Sequence, residues 1–147
     1  MNTAQFSENF QRFFLWSVQF LSVPPVLLMT AVCIVGVAVA FARQRPFSTG
    51  LWRHWYWLIF TQLFFFPAIV AVGVLFPAVS GWPHPKENVI GHRLLDALFY
   101  FSLVTSAFWL WRMRRLRWVS ASLLVLQQVI LIGAGFVAGM SVSGEWL

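Results

Sequence analysis

The chain has 147 residues, of which 60% are hydrophobic, 18% aromatic and 10% charged, with a formal net charge of +6. Soluble domains carry about 25% charged and about 45–50% apolar residues, so this composition excludes an ordinary water-soluble domain and a disordered chain. The length allows one domain or a few membrane spans.

Charged positions cut the chain into uncharged runs of 30 residues (13–42), 32 (54–85), 15 (97–111) and 27 (118–144). A bilayer-spanning helix needs about 20 mostly apolar residues. Three runs exceed that, and the third reaches it by starting near Leu94 with Asp96 in its first turn. A helix apolar on all sides must be buried in something. None of the runs alternates as a barrel strand of about 10 residues does. A small-x-small site at Ala38, Val39 and Ala40 invites a cleaved-signal reading, but Glu8 before the run and Arg43 and Arg45 after it reverse the usual charge order. The expected fold is an all-α integral membrane protein of one domain. It has four transmembrane helices in two hairpins, preceded by a short amphipathic interfacial helix.

That first helix covers 6–21. Phe6, Phe10, Phe13, Phe20 and Leu21 gather on one face, with Glu8, Arg12 and Gln19 opposite. Pro24 and Pro25 push the preceding backbone out of helical geometry, which predicts a break and then a first span over 24–42, with proline in its opening turn. One long kinked helix is the alternative. Cys33, the single cysteine, lies within this span and reads as a small core residue. The second span covers 55–79, where Pro67 removes one donor and predicts a kink near Phe64–Phe66. The third (94–111) and fourth (118–140) are joined by Arg112, Met113, Arg114, Arg115, Leu116 and Arg117. Four arginines are expensive in hydrocarbon, so a hairpin is expected there.

Orientation comes from the basic residues. Arg43, Arg45, Arg53, Arg112, Arg114, Arg115 and Arg117 lie on one side, seven of the ten. Arg12, Lys86 and Arg93 share the other side with all four acids, Glu8, Glu87, Asp96 and Glu145. Cytoplasmic loops are enriched in Lys and Arg, so both termini are expected outside, with a bacterial inner membrane as the setting. Aromatics agree: Trp52, Trp55, Tyr56, Trp57, Trp109, Trp111 and Trp118 crowd the basic boundary, and Trp16, Trp82 and Trp146 the other. Such rings favour the headgroup level.

Chemistry-bearing residues are few. His92, Asp96 and Tyr100 are four apart and share one helix face, offering a proton or ion path. The competing reading puts Asp96 in the first turn, where a carboxylate suits the helix dipole. Gln62, Gln127 and Gln128 form a polar layer with Ser102, Thr105, Ser106 and Thr30, either as glue between helices or as a polar pathway. The seven arginines offer contacts to anionic lipid or to an acidic partner. Small residues at Gly36 and Ala40, and at Gly135 and Gly139, predict close helix packing. His84, Glu87 and His92 match no standard metal spacing, and haem between histidines is a minor alternative. No nucleotide loop or catalytic triad is present, and the basic charge reflects topology, which excludes nucleic acid as the partner.

The expected function is therefore that of a non-catalytic polytopic subunit or scaffold in contact with lipids and with other membrane subunits or copies of itself. A small oligomeric channel or carrier is the first alternative, and a haem-bearing electron-transfer subunit the second.

Overall fold

Each uncharged run carries a helix. The computed structural model describes residues 3–20, 22–44, 53–79 and 87–144, and every regular element among them is helical. In chain order these are α1 (Thr3–Phe20), α2 (Pro24–Gln44), α3 (Arg53–Leu75), α4 (Val89–Arg112) and α5 (Arg117–Ser143), with a 3₁₀ turn (Arg114–Leu116) between the last two. Four of them, α2 to α5, are long and apolar enough to cross a membrane.

The two prolines do what their chemistry requires. α1 ends at Phe20 and α2 opens on Pro24, so 3–44 form two helices and not one kinked helix. Pro67, by contrast, lies inside α3, which continues through it to Leu75.

The turn between α4 and α5 shows how six residues without Gly or Pro still reverse the chain. Met113 and Leu116 are buried at 4% and 3% exposure, whereas Arg112, Arg114 and Arg117 are exposed. The two apolar side chains are drawn into the bundle end, and the arginines are turned out of it. Ser120 Oγ lies 3.5 Å from Met113 Sδ beneath the turn.

α5 is the hub. It packs against α1, α2, α3 and α4, while α3 also packs on α4 and α1. Two apolar clusters result. One, at the basic end, joins Ala40, Leu58, Met113, Leu116, Val119 and Leu124. The other, toward the opposite end, joins Phe65, Ile69, Val70, Leu95, Leu131, Ala134, Ala138 and Val142, with Phe10 and Phe13 packed on it.

The expected pairing of the first two spans needs correction. The substantial contacts of α2 are with α5 and not with α3. The half-buried residues of α2, Val26, Thr30, Cys33, Gly36 and Val37, lead to buried Ala40 along one narrow stripe. That stripe packs on α5, and at its end Ala40 joins Val119 and Leu124 of α5 in one buried cluster. Only 6% of the apolar window of α2 is buried, against 41% for α3 and 39% for α5.

α1 is likewise more than a surface helix. Phe14 meets Phe66 of α3 edge to face at 5.3 Å. Phe20 stacks 5.1 Å from Phe136 of α5, and Ser17 is 1% exposed. The predicted aromatic face is real, with Glu8 and Arg12 paired at 2.6 Å on the exposed side. Its target is the groove between α3 and α5. Leu21 lies outside the described residues.

The end remote from the arginines is tied together by backbone bonds. The last carbonyls of a helix have no partner within it. Here Ala78 N–H donates to Ser141 O (2.8 Å) and Asn88 N–H to Val142 O (2.9 Å). Ser141 Oγ in turn donates to Gly73 O at 2.8 Å, joining α5 to α3.

Candidate functional site

The start of α4 decides where the polar stripe lies. Asn88 caps the helix: its side chain accepts from Gly91 N–H at 3.1 Å and donates to Pro77 O at 3.2 Å. Capping by Asn satisfies an orphan donor and fixes the first turn. The helix therefore begins at Val89, five residues before the expected Leu94, and its first turn holds no acid. Asp96 stands in the third turn, beyond the first turn where a carboxylate gains from the helix dipole, so the expected placement there is corrected.

From there the stripe forms as a connected line. Glu87 Oε1 lies 2.9 Å from His92 Nδ1, and Asp96 Oδ2 lies 4.0 Å from His92 Nε2. Tyr100 follows one turn on and is 71% exposed. The side chains of Glu87, His92 and Asp96 are each about half exposed or more. All of these groups face away from the bundle.

The glutamines face elsewhere. Gln128 Nε2 donates to Ser106 Oγ at 3.1 Å and lies 3.4 Å from Ser102 Oγ. Ser102 and Ser106 also donate back to the carbonyls of Phe99 and Ser102. This cluster ties α4 to α5 between the two apolar clusters, as Trp109 Nε1 ties α4 to α3 by donating to Thr61 Oγ1 at 2.9 Å. Thr105 and Thr30 bond their own helices.

Gln127 points a different way. Its Oε1 is buried without a hydrogen-bond partner. The residue lines a cavity of about 320 Å³ with Phe14, Val18, Leu63, Phe66, Ile130 and Leu131. Gln127 and Gln128 thus serve an apolar cavity and a serine cluster respectively. The side chain of Gln62 lies outside the described residues. Neither glutamine joins His92, Asp96 and Tyr100 in a single route through one chain.

Close packing is real but sits on partly different residues. A Cβ at Gly135 would run into the Phe99 ring of α4, and Ala40 belongs to the basic-end cluster. Added carbons at Gly36 and Gly139 would meet nothing within 4 Å. The tight positions that spacing missed are Gly73, Gly91 and Gly133. A Cβ on Gly73 would lie 2.8 Å from Ala138 Cα, one on Gly91 2.8 Å from Phe76 Cβ, and one on Gly133 2.9 Å from Phe20. Their partners come from other elements, so no pattern within one helix announces them.

At the basic end, Arg114, Arg117, Trp111, Trp118, Leu110 and Ala121 line an open cleft of about 620 Å³. Arg43 and Arg112 are exposed at the same end. Arg45 lies outside the described residues, as do the side chains of Arg53 and Arg115. For metal or haem, His92 alone of the three histidines has a described side chain, since His84 and the His54 side chain lie outside. No group of three His, Cys, Asp or Glu able to hold a metal occurs among the described residues.

The chain matches no family model, no curated protein and no solved structure.

Proposed function

We propose that this chain is an integral membrane subunit or scaffold that performs no chemistry itself and is completed by other membrane-embedded helices. The observation that supports this most is the outward stripe of His92, Asp96 and Tyr100 on α4. At ~1.5 Å per residue, Asp96 lies about 10 Å along a helix of about 36 Å. A hydrocarbon core of about 30 Å then places it several ångströms inside. Ionisable groups at that depth are costly against lipid and normally face a bundle interior or pair with other groups. Asp96 faces outward, so a neighbouring helix is the economical cover. The almost bare surface of α2, with Leu28, Val32 and Val35 more than 60% exposed, gives a second helix for lipid or partner contact.

In this reading the seven arginines mark the cytoplasmic side of a bacterial inner membrane, and both termini face out. Site-specific cross-linking tests it. A photoreactive residue at position 100 gives an adduct of one discrete mass with another protein chain, and the same probe at Val125 gives lipid adducts. Lipid adducts alone at both positions contradict the proposal. Should the adduct at 100 be a second copy of this chain, the outward stripe supports the oligomeric channel or carrier reading, with Asp96 facing a shared axis.

A further inference from the structure

The cleft at the turn between α4 and α5 has a composition the subunit reading does not use. Its walls are two indoles, Trp111 and Trp118, 69% and 66% exposed, and two guanidinium groups, Arg114 and Arg117. Neither arginine has a carboxylate partner among the described residues: the ion pairs found there, Glu8 with Arg12 and His92 with Glu87 and Asp96, all lie toward the opposite end. Four basic residues crowd six positions of sequence, so the local field is strongly positive. α5 also begins at a residue of the cleft, Arg117, and its cap, the buried Leu116, offers no side-chain acceptor. The first N–H groups of the helix add partial positive charge beside the guanidinium groups.

We infer that this cleft is a binding site for the phosphate group of an anionic glycerophospholipid, held by Arg114 and Arg117 between Trp111 and Trp118. Arginine matches phosphate with a planar fork of donors and forms paired, charge-assisted bonds. Tryptophan settles at headgroup depth with its ring against the acyl boundary and its N–H toward water. Leu110 and Ala121 continue the wall toward the apolar body of α4 and α5, where an acyl chain would follow. An acidic protein segment would satisfy the arginines but would leave two exposed indoles with no apolar chain beside them. Basic pockets between spanning helices are a known form of lipid headgroup site. The inference needs only that the ends of α4 and α5 lie at a membrane surface, and it stands or falls separately from the subunit proposal.

The test uses the full chain in a non-ionic detergent with equal amounts of dioleoyl phosphatidylglycerol and dioleoyl phosphatidylcholine, read by native mass spectrometry. An arginine near an anionic headgroup contributes roughly fivefold in affinity. The wild-type chain should therefore retain phosphatidylglycerol over phosphatidylcholine by roughly tenfold or more. Arg114→Gln/Arg117→Gln should bring the ratio to within about twofold, whereas Arg12→Gln/Arg93→Gln, which removes equal charge at the opposite end, should leave it. Arg114→Lys/Arg117→Lys should recover part of the preference, which separates lost binding from lost folding. Equal retention of the two lipids by the wild type overturns the inference, and so does a preference untouched by the double Gln change. Displacement of the lipid by millimolar inorganic phosphate would assign the site to free anions and overturn it as well.

Discussion

Gln127 and Gln128 carry the same side chain at adjacent positions, and their environments give them different meanings. Gln128 has two serine partners on the facing helix, whereas the Gln127 carbonyl oxygen has none. Interhelical polar contacts in membranes average about 0.6 kcal/mol and reach about 1.7, and an unsatisfied buried group costs about 1–3 kcal/mol. Gln128→Leu should therefore lower the thermal unfolding midpoint in detergent, by an amount corresponding to about 1 kcal/mol, while Gln127→Leu leaves it unchanged or raises it. Equal losses from both changes would contradict the assignment. The glycines make a second contrast. Gly73→Ala places a methyl against the backbone of Ala138 and should cost about 1–3 kcal/mol through overpacking. Gly139→Ala meets open space and should gain up to about 1 kcal/mol from helix propensity. Thermal midpoints of the two variants, measured side by side, should move in opposite directions.

At the scale of elements, the spans could be read from the sequence because hydrocarbon tolerates so few charges. The intervals between charged residues show that a span lies in each, and the spans expected over 24–42, 55–79 and 118–140 end within about four residues of α2, α3 and α5. The start of α4 was harder to read. Arg93 and Asp96 interrupt the apolar pattern, and the signal that begins the helix is one side chain, Asn88, whose role depends on reaching Gly91 and Pro77. Asn88→Ala removes both bonds and should destabilise the protein by about 1–2 kcal/mol, seen as a lower midpoint and as faster amide exchange at Val89–Gly91. Unchanged exchange there would count against the cap.

The docking of α1 was hidden for a different reason. Phenylalanines on one face look alike whether they enter lipid or protein, and what decides is Gly133, which makes room for Phe20 from another helix. The same limit applied to α2: its small-residue stripe was visible, but not that α5, instead of α3, would receive it. The candidate stripe His92, Asp96 and Tyr100 was legible as a shared helix face. Its outward aim depends on how α4 is rotated in the bundle, which no single-helix pattern encodes.

For the whole molecule, α5 touches all four other helices, while α2 and α4 present most of their surface outward, with 6% and 17% of their apolar windows buried. The two sides differ in kind, because α2 exposes aliphatic side chains and α4 exposes a carboxylate, an imidazole and a phenol. An assembly with another chain on the α4 side accounts for that difference. The most direct measurement is the native mass of the protein extracted from its own membranes in mild detergent, with the co-purifying chains identified. The account predicts a fixed complex containing at least one different membrane protein, released when Asp96→Leu removes the charge from the stripe. A single 16.9 kDa chain carrying only lipid and detergent, with or without Asp96, would contradict it.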